Sequence, residues 1–117
     1  MISVREATGQ ETEQWRAGWV PRLRERYARR YTDPATVERE VERCLANQRD
    51  DPGGRVYAVE AGGAPAGFLA LGGSRPRRPE QRSLHDLWLA PEHRGRGLGR
   101  ELVAWSRERA AADGAAA

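Results

Sequence analysis

The chain has 117 residues, with twenty basic side chains against seventeen acidic ones and a formal net charge of +3. That length encloses one modest core and makes residues 1–117 a single expected domain. One cysteine, Cys44, excludes an intrachain disulfide and a four-cysteine zinc site. All twenty basic residues are arginine, so a phosphate loop ending in lysine and a lysine Schiff base are excluded as well.

Ile2 to Glu6 alternates apolar and polar residues and predicts a short strand with no basic, apolar signal segment in it. No stretch reaches the apolar length that crosses a bilayer, so no membrane association and a cytoplasmic location are expected. Thr8-Gly9-Gln10-Glu11 fits a helix capping box. Trp15, Trp19, Leu23, Tyr27 and Tyr31 follow at four-residue spacing and predict one helical stripe, which belongs to a core more readily than to a pocket. Pro21 lies inside that run and is expected to kink or split the helix.

Thr32-Asp33-Pro34 predicts a fresh helix start. Val37, Val41, Cys44 and Leu45 form its apolar face, and Cys44 reads as a small buried hydrophobe rather than a nucleophile, since no neighbour in sequence would activate its thiol. Asp50 to Gly54 reads as a turn. Arg55 to Glu60 and Pro65 to Leu71 predict two strands joined at Gly62-Gly63. Gly72 to Gln81 reads as a loop rich in Gly, Pro and Arg, and Leu84 to Leu89 as another strand ended by Pro91. Gly97 opens a last helix with Leu98, Leu102, Val103 and Ser106 on one face. Strand, helix, helix, strand, strand, strand, helix is a mixed α/β layout with helices against one sheet.

The chemistry concentrates between Leu84 and Arg100. A strand that feeds a glycine-rich turn and a helix presents free amide groups at the positive end of the helix dipole. Such an end binds anions, and glycines let a phosphate approach the backbone closely. Arg94, Arg96 and Arg100 add charge beside it. From Arg75 to Arg100 there are seven arginines against three acids, so the positive excess sits around this segment. The dinucleotide fingerprint fails, because the glycines stand at 95, 97 and 99 and position 100 is Arg. The pattern present is Arg-x-x-Gly-x-Gly, as Arg94, Gly97 and Gly99, behind an apolar strand and Pro91-Glu92-His93.

That combination resembles the signature of the GNAT acetyltransferase superfamily. The resemblance implies an acyl-CoA N-acyltransferase-like fold and acetyl-CoA as co-substrate, with no metal. It implies that the amides of Gly95, Arg96, Gly97, Leu98, Gly99 and Arg100, with Arg94 beside them, hold the pyrophosphate, and that the backbone of Leu87, Trp88 and Leu89 pairs with the pantetheine arm. His85, nine residues before Arg94, stands where some members carry a catalytic base, and alternation would place it on the face of Leu87 and Leu89. Asp86 would face the other way, and His93 would lie on the surface. The acceptor expected is a primary amine on a small molecule or a peptide.

In the family a fifth strand, a further helix and two more strands follow the third helix, so this chain matches about the first two thirds of that domain and is expected to be truncated there. No tyrosine corresponds to the family's general acid. An exposed fourth strand would then invite a second copy or another chain to complete the sheet. Two other readings are a non-catalytic CoA-binding or regulatory module and a basic nucleic-acid-binding module. The latter lacks aromatic interleaving, so nucleic acid is not the expected partner.

Overall fold

A computed structural model describes residues 2–75 and 78–112, and side chains outside 74–81. The chain divides into two units, Thr8–Asp51 and Met1–Ala7 together with Pro52–Ala117.

The first unit is a helical hairpin. Thr8 starts α1 (Gly9–Ala28) with the expected capping box. The Glu11 amide donates to Thr8 Oγ1 at 3.2 Å, and the Thr8 amide donates to Glu11 Oε1 at 2.9 Å. Trp15, Trp19 and Leu23 are buried, and the two indoles stack with centroids 4.8 Å apart. The split expected at Pro21 does not occur, since α1 runs through it unbroken. Pro21, Ala17 and Gly18 all face solvent, so water can serve the carbonyl that loses its helical partner. The stripe stops short of Tyr31, which lies beyond the end of α1 and stacks on Tyr27.

Asp33 caps α2 (Pro34–Arg49), accepting from the Thr36 hydroxyl at 2.9 Å and the Ala35 amide at 3.4 Å. Val37 and Val41 are buried as expected. Cys44 departs from the expectation: it is only half-buried and has a polar neighbour, with its Sγ 3.1 Å from the Tyr27 hydroxyl. That hydrogen bond, followed by burial, raises the phenol above its ordinary value. Arg24 Nε donates to Glu38 Oε1 at 2.6 Å and ties α1 to α2 a second time.

The second unit is a sheet with one helix. β1 (Ile2–Glu6), β2 (Arg55–Ala61), β3 (Ala64–Arg75) and β4 (Arg78–Leu89) lie side by side in that order, each antiparallel to the next. Gly62 and Gly63, with φ of 59° and 83°, make the tight turn between β2 and β3. Outside residues 76 and 77, the loop expected at Gly72–Gln81 is strand instead: β3 and β4 carry their pairing outward as a hairpin, with breaks in register. The proline and arginines that suggest a loop are compatible with an edge strand.

α3 (Leu98–Ala112) covers one face of this sheet. Leu98 and Leu102 join Tyr57, Val59, Ala66, Leu69, Leu71 and Leu89 in a single core. Trp105 meets Tyr57 edge to face with centroids 4.8 Å apart. Ser106 is buried and donates to Leu102 O at 2.8 Å. Val103, expected on the buried face, is 40% exposed. It lies on the flank of α3 beside Leu84, along an open groove rather than under the sheet.

Candidate active site

β4 is the edge strand, and its last residues point their backbone two ways. The Ala90 amide donates to Ala66 O at 2.8 Å, toward β3. Antiparallel ladders alternate, so Leu87 and Leu89 turn their N–H and C=O groups to the free side. The Leu89 side chain is buried in the core, and Leu87 packs against it. Gly67, opposite Leu89, has no room for a side chain, because a Cβ there would stand 2.0 Å from Trp88 O. The free edge at Leu87–Leu89 thus presents a short row of backbone donors and acceptors.

Arg94 closes that row from below. Its Nε donates to Leu89 O at 2.8 Å. Pro91–His93 form one turn of 3₁₀ helix, with the His93 amide on Ala90 O and the Arg94 amide on Pro91 O. Arg94 therefore holds strand end and turn together. His93 corrects an expectation: it is half-buried, and its Nδ1 is shielded without a hydrogen-bond partner.

Gly95 and Gly97 have φ of 76° and 77°. Alternating handedness of this kind curls successive amides toward one point and makes a concave anion site. A Cβ placed at 95, 97 or 99 would meet nothing within 4 Å, so the space in front of the turn is open. The Glu101 amide is the first to bond back, to Gly97 O at 3.3 Å. Among the described residues, the amides of 95 to 100 donate to no protein acceptor. Arg96 and Arg100 are exposed on either side. Free amides, a helix N-terminus and flanking guanidinium groups are the donor set a pyrophosphate requires.

His85 sits at a break in the ladder. Gly67↔Leu89 through Ala70↔Asp86 is regular, but Leu71 pairs with Leu84, which leaves His85 as an extra residue on β4. The simple alternation that places His85 with Leu87 and Leu89 does not run through this bulge. Leu84 continues that face instead, lining a groove with Leu71, Val103 and Ser106. His85 is half-buried and Asp86 is 7% exposed. The arginines at 75, 77 and 78, expected to add to an anion site, have side chains outside the described residues. No cluster of three or more His, Cys, Asp or Glu among the described residues is placed to hold a metal ion. No helix among them is long and apolar enough to cross a membrane.

An edge strand, a glycine turn and a helix N-terminus thus stand together at one end of an antiparallel sheet covered by a helix, an arrangement chemically suited to an anion. Residues 20–117 match the acetyltransferase (GNAT) family, and the chain belongs to that family, whose chemistry is acyl transfer. Its fold is that of solved acetyltransferases. YycN of Bacillus subtilis, assigned to the acetyltransferases, superposes with a TM-score of 0.81 at 13% identity, over 97% of this chain and 76% of that one. An acetyltransferase of Thermus thermophilus is 28% identical with a TM-score of 0.55, over 96% of this chain and 68% of that one. The PaiA N-acetyltransferase of Thermoplasma acidophilum, solved in complex with coenzyme A, gives 0.55 at 16% identity, over 97% and 74%. No curated protein matches the chain by sequence.

Proposed function

We propose that this protein moves an acetyl group from acetyl-CoA to a primary amine of a small molecule or peptide, by direct attack of the amine. The observation that carries the reading is the turn at Gly95–Arg100: two positive-φ glycines, open space in front and amides with no protein acceptor. In this reading those amides and Arg96 and Arg100 hold the pyrophosphate. The outward backbone groups of Leu87 and Leu89 pair with the pantetheine amides, and an outward N–H of β4 polarises the thioester carbonyl. Acetyl-CoA supplies the activated acyl group: its C–S bond breaks as the C–N bond forms, the nitrogen gives up a proton to the base, and CoA leaves as a thiolate that takes a proton from solvent.

The amine must arrive neutral, and roughly one alkylamine in a thousand is neutral near pH 7. A base is therefore needed, and histidine titrates in the useful range. His85 is assigned that role because it stands on the strand that carries the thioester site, at a bulge that takes it out of the regular ladder. Calorimetry with acetyl-CoA tests the binding half: tight, saturable binding is expected, and its absence from well-folded protein sinks the reading. His85→Ala is expected to lower the rate about a hundredfold near neutral pH, with the loss shrinking as pH rises and the acceptor amine sheds its proton unaided. A profile of unchanged shape removes His85 from the reaction.

A further inference from the structure

The ladder between β3 and β4 contains three breaks in register, and the first two cancel. Above Ala70↔Asp86, Leu71 pairs with Leu84, so β4 holds one residue too many at His85. Between Leu71↔Leu84 and Ser74↔Arg82, β3 holds one too many in turn, at Gly72 and Gly73. At Ser74 the strands have returned to the register they had at Ala70. A fully regular alternative therefore exists over the same segment, with Leu71 opposite His85, Gly72 opposite Leu84 and Gly73 opposite Ser83. Moving between the two needs no change at either end of the hairpin. It shifts residues 83 to 85 by one pairing position, and a shift of one carries side chains to the opposite face of the sheet.

Regular pairing is the default, so something must hold the bulged form. Arg82 lies at the return point of the register. Its Nε donates to Gly72 O at 2.6 Å, the carbonyl of a residue that the bulge leaves without a partner on β4. Its second arm, Nη2, donates to Gly53 O at 3.2 Å, in the turn before β2. The backbones of Gly53 and Gly73 touch there: a Cβ on Gly53 would stand 2.8 Å from Gly73 Cα. One guanidinium thus grips the bulged strand and a turn twenty-nine residues away in sequence.

We propose that Arg82 is a positioning residue, a register lock that keeps the paired bulges from annealing and so decides which face of the sheet His85 and Leu84 present. The fork is suited to this because it makes two directed bonds to carbonyls on different segments, which a single ammonium does not. The catalytic consequence rests on the reading of His85 as base; the lock itself does not. Turnover in this protein depends on Arg82 through the placement of residue 85, while the cradle at Gly95–Arg100 is untouched by it.

Cross-strand nuclear Overhauser contacts from Leu71, measured on the full chain, report the register directly. Wild type is expected to show Leu71 beside Leu84. Arg82→Ala is expected to lose that contact and gain one between Leu71 and His85, with acetyl-CoA affinity by calorimetry unchanged and turnover lowered toward that of His85→Ala. Arg82→Lys keeps one donor and is expected to show both contacts, and it decides the matter alone if the alanine variant does not fold. Leu71–Leu84 pairing retained without change in both variants, or in the lysine variant where that is the only folded one, overturns the lock. A register that moves while turnover does not supports the lock and removes His85 from catalysis, so the two ideas fail separately.

Discussion

Three glycines of the turn before α3 stand within five residues, and they are not equivalent. Gly97 is held at φ of 77°, where any L side chain is strained, though nothing crowds its Cβ. Gly97→Ala should therefore cost about 1–2 kcal/mol from the backbone alone and weaken acetyl-CoA binding as the curl of amides opens. Gly99 has ordinary helical geometry at the second position of α3 and open space around it. Gly99→Ala should raise stability by about 0.5–1 kcal/mol, since alanine favours a helix, yet lower acetyl-CoA affinity by putting a methyl group in the cradle. Urea unfolding and calorimetry on the same two variants check both signs. Opposite signs of stability and affinity at Gly99 are what a ligand-driven glycine predicts, and a structural glycine would lose both.

At the scale of elements, caps and close approaches decide where each begins and ends. The Thr36 hydroxyl and then the Ala35 amide hold the Asp33 carboxyl below its ordinary range. A depressed folded value means that the contribution to α2 is fully present above the ordinary carboxylate range and is lost as pH falls through the lowered value. Asp33→Asn should remove this acid-side loss from the pH dependence of unfolding while leaving stability near neutrality little changed, since asparagine caps nearly as well. In the sheet, Gly67→Ala would press a methyl group on Trp88 O, which no rotamer can relieve. It should destabilise the protein by about 2–3 kcal/mol and disturb the free edge at Leu87–Leu89, measured as lower Tm and lower acetyl-CoA affinity together. The capping box at Thr8, the start at Asp33 and the Gly62-Gly63 turn were all legible in the sequence, because each involves partners within about four residues. The length of the β3–β4 hairpin was not, because proline and arginine at an edge strand look the same in sequence as a loop.

At the largest scale, the feature with consequences is that β4 has a strand on one side only among the described residues. Leu84 and Val103, 48% and 40% exposed, flank a groove of about 320 Å³ that also includes Leu71, Ala110 and Ala111. Exposed apolar residues beside an edge strand are a feature that favours association in general. Were two copies to meet along this groove, Val103→Lys would weaken that concentration-dependent association in light scattering while leaving Leu98 and Leu102, and so the core, in place.

What the sequence determined by itself is local: the caps, the hairpin turn and the strand–turn–helix that marks the family. Short-range backbone chemistry writes these, since a glycine in the left-handed region or a capping hydroxyl needs only its near neighbours. What the tertiary structure decided is pairing across distance. The bulge at His85, the grip of Arg82 on Gly72 and Gly53, and the outward turn of Val103 depend on register between strands and on which edge stays open. Register is a property of two segments at once, and alternation along one of them does not contain it.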